Sequence, residues 1–211
     1  MSLRLIHQLY AGLAPWLALA LLLTGRNPFP TRVRGVTSLI IALLLLQIPL
    51  GGWSLFSWIR TLEPNPSLTL SGLLVVVLWQ RFRGAPLFRS EDWSVAWIAG
   101  ALSALILYPI GLGLTSVDTY AWGWQPFLPI ALACCATWLL ILGNRFGILL
   151  VLVPLGSLLH LQESANFWDA LVDPFYGALS LVMVSLMILG RARAVNASFA
   201  EQASPSGKGG G

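Results

Sequence analysis

The chain has 211 residues, of which 57% are hydrophobic and only 9% charged, with a mean hydropathy of +0.79 and a formal net charge of +4. Soluble domains carry roughly 25% charged residues, so this composition excludes an ordinary water-soluble domain and makes the lipid bilayer the expected solvent. Eleven of the twelve basic residues are Arg, scattered singly beside apolar segments, which excludes a phosphate-tracking nucleic-acid surface. The apolar segments are unbroken runs without in/out alternation, so helices rather than a closed barrel are expected to span.

Seven apolar runs follow one another. The first, Tyr10 to Gly25, lacks a small-residue cleavage site and reads as a retained helix rather than a signal peptide. The second covers Gly35 to Gly52 and trails into "WSLFSWI"; the third is the short "LTLSGLLVVVLWQ", Leu68 to Gln80. The fourth is Trp93 to Leu114, the fifth Phe127 to Leu142, the sixth the short Gly147 to Leu159, and the seventh Pro174 to Gly190. Several fall below the roughly 20 residues that cross a bilayer, and whether 68–80 and 147–159 span fully is open, with six spans as the alternative count. Between the fifth and sixth runs, "GNRFG" has the turn chemistry of a tight helical hairpin, Asn and Gly supplying positive φ. Pro49-Leu50-Gly51-Gly52, Tyr108-Pro109 and Pro154-Leu155-Gly156 are expected to bend or loosen helices.

Charge orients the runs. Seven spans with the N-terminus outside leave Arg26, Arg32, Arg34, Arg81, Arg83, Arg89, Arg145, Arg191, Arg193 and Lys208 on the cytoplasmic side and only Arg4 and Arg60 outside, ten against two. The expected fold is therefore all-α, a polytopic bundle over residues 1–193 followed by a disordered cytoplasmic tail, 194–211. The sequon Asn196-Ala197-Ser198 falls on the cytoplasmic side and is set aside. Preference for Arg over Lys, with abundant Ala, Leu and Gly, points to a bacterial inner membrane.

The residues that could carry chemistry gather on the outer side. Trp53, Trp58, Trp122, Trp124, Trp168 and Tyr120 lie in the three outer connections, where an interfacial belt is the ordinary reading and a partner or ligand surface the functional one. "HLQESANFWDALVDPFYG", 160–177, is the densest of these stretches. Within it Asp173-Pro174 has the pattern of an N-cap with Pro at N1, and 164–172 that of a short helix lying in the interface or folding inward. His160, Asp118 and Asp169 are the weak candidates for acid, base or metal-ligand roles. Ser157 and His160 lie one turn apart without a nucleophile elbow, which argues against a hydrolase. His7 and His160 both flank the bilayer rather than meeting inside it, so haem is not expected. Cys134 and Cys135, adjacent in an apolar run, read as inert core thiols, and no metal spacing occurs.

These features define two expectations of different class. The first is a non-catalytic accessory or assembly subunit for cell-envelope biosynthesis or export, without cofactor, presenting its Trp-rich outer face to another membrane or periplasmic protein. The second is an outer-leaflet enzyme acting on a lipid or lipid-linked glycan, with a small transporter or flippase beside it. No run carries a charged residue at its centre, which favours the first.

Overall fold

A computed structural model describes the backbone of residues 3–24, 31–114 and 116–203, and side chains over most of 10–192. Arg4, His7, Arg26, Arg32, Arg193 and Lys208 fall outside the described side chains. Among the described residues the fold is all-α but for one two-residue-stranded hairpin. In chain order the elements are α1 (Leu3–Thr24), α2 (Thr31–Leu46), β1 (Pro49–Leu50), β2 (Trp53–Ser54), α3 (Leu55–Leu62), α4 (Leu68–Arg83), α5 (Ser90–Gly111), a 3-10 turn (Tyr120–Trp124), α6 (Phe127–Ile141), α7 (Phe146–Leu158), α8 (Phe167–Leu171) and α9 (Pro174–Ala203).

Each of the seven apolar runs contains a helix. Among the described residues two helices, at Ser90–Pro109 and Pro174–Ala192, are long and apolar enough to cross a membrane. α6 and α7, with 15 and 13 residues, are shorter, about 20 Å for α7 at ~1.5 Å per residue. The second run differs from expectation. α2 ends at Leu46, because Pro49 brings no backbone N–H to continue it. The chain then reverses at Gly51-Gly52, with φ of +60° and +86°, pairing Pro49 with Ser54 and Leu50 with Trp53. Both central residues need positive φ in such a turn, which glycine alone adopts freely. Ser54 then caps α3, its Oγ accepting from the Ser57 amide.

α1 packs on α2 and α4, α4 on α7, and α6 forms an antiparallel hairpin with α7. That hairpin closes on Gly143 at φ +70°, while Asn144 caps the next helix, accepting the Phe146 amide at 3.0 Å. α5 and α9 form a second antiparallel pair. Tyr176 donates its hydroxyl to the Ala96 carbonyl at 2.6 Å, and Gly100 and Gly177 let the two backbones approach. The buried core runs between these pairs through Leu73, Val76, Leu132, Phe146, Leu150, Val153, Trp168 and Tyr176.

α9 continues through Ala203, so 194–203 extend the helix that the polar composition of the tail was expected to end, and 204–211 lie outside the described residues. The outward faces of α5, α6, α7 and α9 remain apolar, with Leu105, Ile130, Trp138, Leu152, Leu158 and Leu186 all exposed.

Two buried carboxylates hold the connections together, one at each end of the bundle. At the arginine end, Asp92 accepts the Arg89 amide at 2.7 Å and the Arg145 amide at 2.9 Å, joining the start of α5 to the α6–α7 turn. Arg89 adds a bond to the Gly143 carbonyl and an ion pair with Asp92 at 3.6 Å. At the tryptophan end the same task falls to Asp173.

Candidate functional site

The stretch 160–177 folds inward. α7 ends with Leu161 N–H on the Gly156 carbonyl and His160 N–H on the Ser157 carbonyl. This is the Schellman arrangement, which places its C′ residue in the left-handed region. Here that residue is His160, at φ +50°, an exposed side chain in a position glycine usually fills. Past it, Gln162 donates to the carbonyls of Pro66 and Asp169, and Asn166 caps α8 by accepting the Trp168 amide at 2.9 Å.

α8 is buried throughout its apolar face. Trp168 is 2% exposed and donates its indole N–H to the Thr119 carbonyl at 2.9 Å. Asn166 donates to the Tyr120 carbonyl, and a Cβ on Gly123 would lie 1.8 Å from the Asn166 Oδ1, so the 3-10 turn sits directly on this segment. The short helix expected within 164–172 is present and is packed into the protein.

Asp173 is the N-cap of α9, as its pairing with Pro174 leads one to expect. Its Oδ1 accepts the Tyr176 amide and its Oδ2 the Ser67 amide, both at 2.8 Å. Ser67 in turn caps α4 through the Leu70 amide at 3.1 Å. One carboxylate therefore anchors two helix starts.

Because Gly177 lies against Ala104 and Tyr108, α9 begins below the last turn of α5. The space above its N-terminus is a crevice of about 340 Å³. It is lined by Glu63 and Asn65 from the α3–α4 connection, Leu107 and Tyr108 of α5, Tyr120 of the 3-10 turn, and Asp169 and Val172 to Pro174. Tyr120 donates its hydroxyl to Asp169 Oδ2 at 3.1 Å, and Glu63 Oε1 accepts the Asn65 amide at 3.2 Å.

Burial raises the Glu63 carboxyl above its usual range and the negative charge of Asp173 adds to the rise; the Asn65 amide offsets part of it, and Asp169 adds a last, smaller rise. Burial and then the Asp169 carboxylate likewise push the Tyr120 phenol up. The sign of the stability effect follows. A folded state that holds the Glu63 proton more tightly than the unfolded chain loses stability as pH rises from the ordinary carboxylate value through the raised one. We expect Glu63→Gln to remove that part of the pH dependence and to melt higher than the parent at neutral pH. Thermal midpoints of the two proteins between pH 4 and 7 check this; parallel profiles would contradict it.

The structure brings together only part of the residue set selected from sequence. Asp169 and Tyr120 share the crevice, whereas neither Asp118 nor His160 lines it. Asp118 instead accepts the Ala121 amide at 3.1 Å, holding the start of the 3-10 turn. Trp53, Trp58, Trp122 and Trp124 are exposed; Trp168 is turned inward by its bond to Thr119 and offers no surface to a partner. Glu63 and Tyr108 were not singled out from sequence. Their signal is indirect: "EPNPS" is a Pro-stiffened acidic turn before a Ser cap, and Tyr108 stands one residue before a helix-bending proline. Cys134 and Cys135 are exposed on α6 rather than buried in the core. Among the described residues no three His, Cys, Asp or Glu side chains stand close enough to hold a metal ion.

Comparison of the chain with protein-family profiles, with curated proteins and with solved structures finds no match.

Proposed function

We propose that the chain is a multi-pass protein of a bacterial inner membrane, with seven spans, an outside N-terminus and a cytoplasmic C-terminus. It serves there as an accessory or assembly subunit for cell-envelope biosynthesis or export. The apolar outward faces support the membrane reading: α7 carries Ile148, Val151, Leu152 and Leu155 on its exposed side and Leu149, Leu150 and Val153 on its buried one. A helix apolar all round belongs in a core or a bilayer, and soluble monomers rarely expose apolar patches beyond a few hundred Å². The short helices would span with help from their flanks, which the 3-10 turn and α8 shelter at one end.

The observation that carries the subunit reading is the set of exposed tryptophans on the connections at one end, Trp53 at 60% and Trp124 at 58% exposure. Indoles rich in apolar surface and bearing one N–H serve well as anchors for a protein partner. The crevice containing Glu63, Asp169 and the two tyrosines favours a second reading, an outer-leaflet enzyme using those carboxylates as acid and base.

Two measurements test the proposal. In a background without Cys134 and Cys135, a membrane-impermeant thiol reagent applied to intact cells is expected to label Gln125→Cys and not Ala85→Cys. The reverse pattern would overturn the orientation. A photo-crosslinking residue at Trp124 is expected to capture one membrane or periplasmic protein in stoichiometric yield, while one at Leu186 captures lipid. Lipid adducts alone at both positions would sink the subunit reading.

A further inference from the structure

An apolar groove of about 500 Å³ follows the seam between α4 and α7. Its floor is the buried Val76, Leu149 and Val153, and its lips are the exposed Val75, Ile148 and Leu152. Arg145 and Gly156 both line it, a run of about 17 Å at the helical rise, against roughly 15 Å for one leaflet, half of the bilayer's hydrocarbon core. Arg145 is the only charged residue lining it among the described residues. Its exposed side chain donates one N–H to the Leu87 carbonyl and forms no ion pair among those residues. The nearby Asp92 does not neutralise it, because that carboxylate is taken by the Arg89 and Arg145 amides and the Arg89 guanidinium. A guanidinium has five N–H donors, so Arg145 keeps most of its fork for an anion.

A second observation lies on the other flank of α4. There a groove of about 600 Å³ is lined by Leu17 of α1 and by Val75, Leu78, Trp79, Phe82 and Arg83 of α4. Arg83 is again the only charged residue in it, at the last turn of the helix, with its guanidinium over the Trp79 ring at 4.9 Å. Val75 lines both grooves. One exposed rib therefore parts two apolar channels, and each carries an arginine at the same end of the bundle.

We propose that this surface binds one anionic diacyl phospholipid, an acyl chain in each groove and the phosphate at the arginine end, where Arg145 holds it and Arg83 adds positive charge. Such a ligand presupposes the membrane reading above. Charge complementarity selects it: a guanidinium pairs with phosphate through two parallel hydrogen bonds, and basic pockets at a membrane surface favour anionic headgroups. A choline headgroup would bring its own cation among the arginines and is disfavoured. Shape selects it too. Two channels divided by a single side chain suit two slender chains, whereas one helix, about 10 Å across, would lie over the rib and fill neither.

The test takes the full chain in neutral maltoside micelles and counts bound lipid by native mass spectrometry, comparing dioleoyl phosphatidylglycerol with dioleoyl phosphatidylcholine. One phosphatidylglycerol is expected to bind saturably, about tenfold more tightly than phosphatidylcholine, the size of one charge-assisted hydrogen bond. Arg145→Gln should lose that preference. Ile148→Trp, which plants a ring in the α4–α7 groove from an exposed lip, should weaken binding of both lipids. Excess sn-glycerol 3-phosphate should not displace the lipid, because it brings no chain. Equal affinity for the two lipids, a preference that survives in Arg145→Gln, undiminished binding to Ile148→Trp, or displacement by glycerol phosphate would overturn the proposal. The comparisons on the parent protein decide even where a variant does not fold. Alkaline carbonate extraction of cell membranes separates the two levels. Release of the chain overturns the membrane reading and this site with it, whereas a chain that stays in the membrane but shows no lipid preference overturns the site alone.

Discussion

Replacing Asp173 with alanine is expected to destabilise the fold by roughly 2–5 kcal/mol, the sum of the lost helix cap, which orphans the buried Tyr176 amide, and of the orphaned Ser67 amide. The Ser67 and Tyr176 residues whose N–H groups it accepts are 0% and 1% exposed, so water cannot replace the carboxylate. α9 loses the acceptor at its N-terminus, and the Ser67 turn loses the bond holding the start of α4 against it. Asp173→Asn separates the two roles. Asn caps a helix about as well as Asp, so the Tyr176 amide keeps its acceptor, but an NH2 group then faces the Ser67 N–H. Its cost should fall near half that of alanine. Denaturant or SDS titration of the purified protein, followed by near-ultraviolet circular dichroism, measures both. An alanine variant within about 1 kcal/mol of the parent would mean that Asp173 does not carry the junction.

That junction shows where sequence reasoning succeeds and where it stops. Asp173-Pro174 announces a helix start because a cap acts over three residues, and the Tyr176 amide lies within that reach. Nothing local announces Ser67, whose amide comes from 106 positions away. The same division holds elsewhere. Hydrophobic runs mark all seven long helices, since burial demands apolar residues along their length and, on the proposed reading, contact with lipid demands the same. Asp92 had a local signal too, in the "SED" that opens α5, but its second amide, from Arg145, comes from 53 positions away. The break after α2 was legible in Pro49 and Gly51-Gly52 as a loosened helix. That it becomes a hairpin leading into a separate α3 depends on the pairing of Leu50 with Trp53.

The candidate site was legible only in outline. Composition correctly concentrates polar and aromatic residues in the connections at one end, but it does not tell which side chains converge. His160 was selected as a titratable group, yet its backbone makes it the left-handed residue of a Schellman turn. Trp168 was selected as surface, yet an indole N–H is satisfied as well by a buried carbonyl as by water, and Thr119 supplies one. Glu63 went unselected because its partners, Asp169 and Asp173, lie more than 100 residues further along the chain. Its carboxyl is raised first by burial and then by the charge of Asp173.

Substitution at Gly100 is expected to be the most damaging single change within the helical bundle itself. A Cβ there would stand 2.2 Å from Ser180 Oγ, 2.6 Å from Tyr176 Cζ and 2.9 Å from Ser180 Cβ. Ser180 is short and fully buried and Tyr176 is 1% exposed, so neither side chain can swing aside and α5 must part from α9. Separation lengthens the 2.6 Å bond from Tyr176 to the Ala96 carbonyl. It also shifts the first turn of α9, which forms the floor of the crevice through Asp173 and Pro174. Gly100→Ala should cost about 2 kcal/mol and Gly100→Val roughly 3 kcal/mol or more, at and above the usual range for overpacking. Small residues at close helix crossings in lipid are expected to be this intolerant. Gly190→Ala on α9 is the control. Its added methyl meets nothing within 4 Å, so it should stabilise by about 0.5–1 kcal/mol through lost unfolded-state freedom. Unfolding midpoints for the three variants, together with near-ultraviolet circular dichroism of Gly100→Ala, distinguish local strain from a displaced α9. If Gly100→Val melts with the parent, the α5–α9 contact is not the close packing described, and the crevice above it loses its rigid floor.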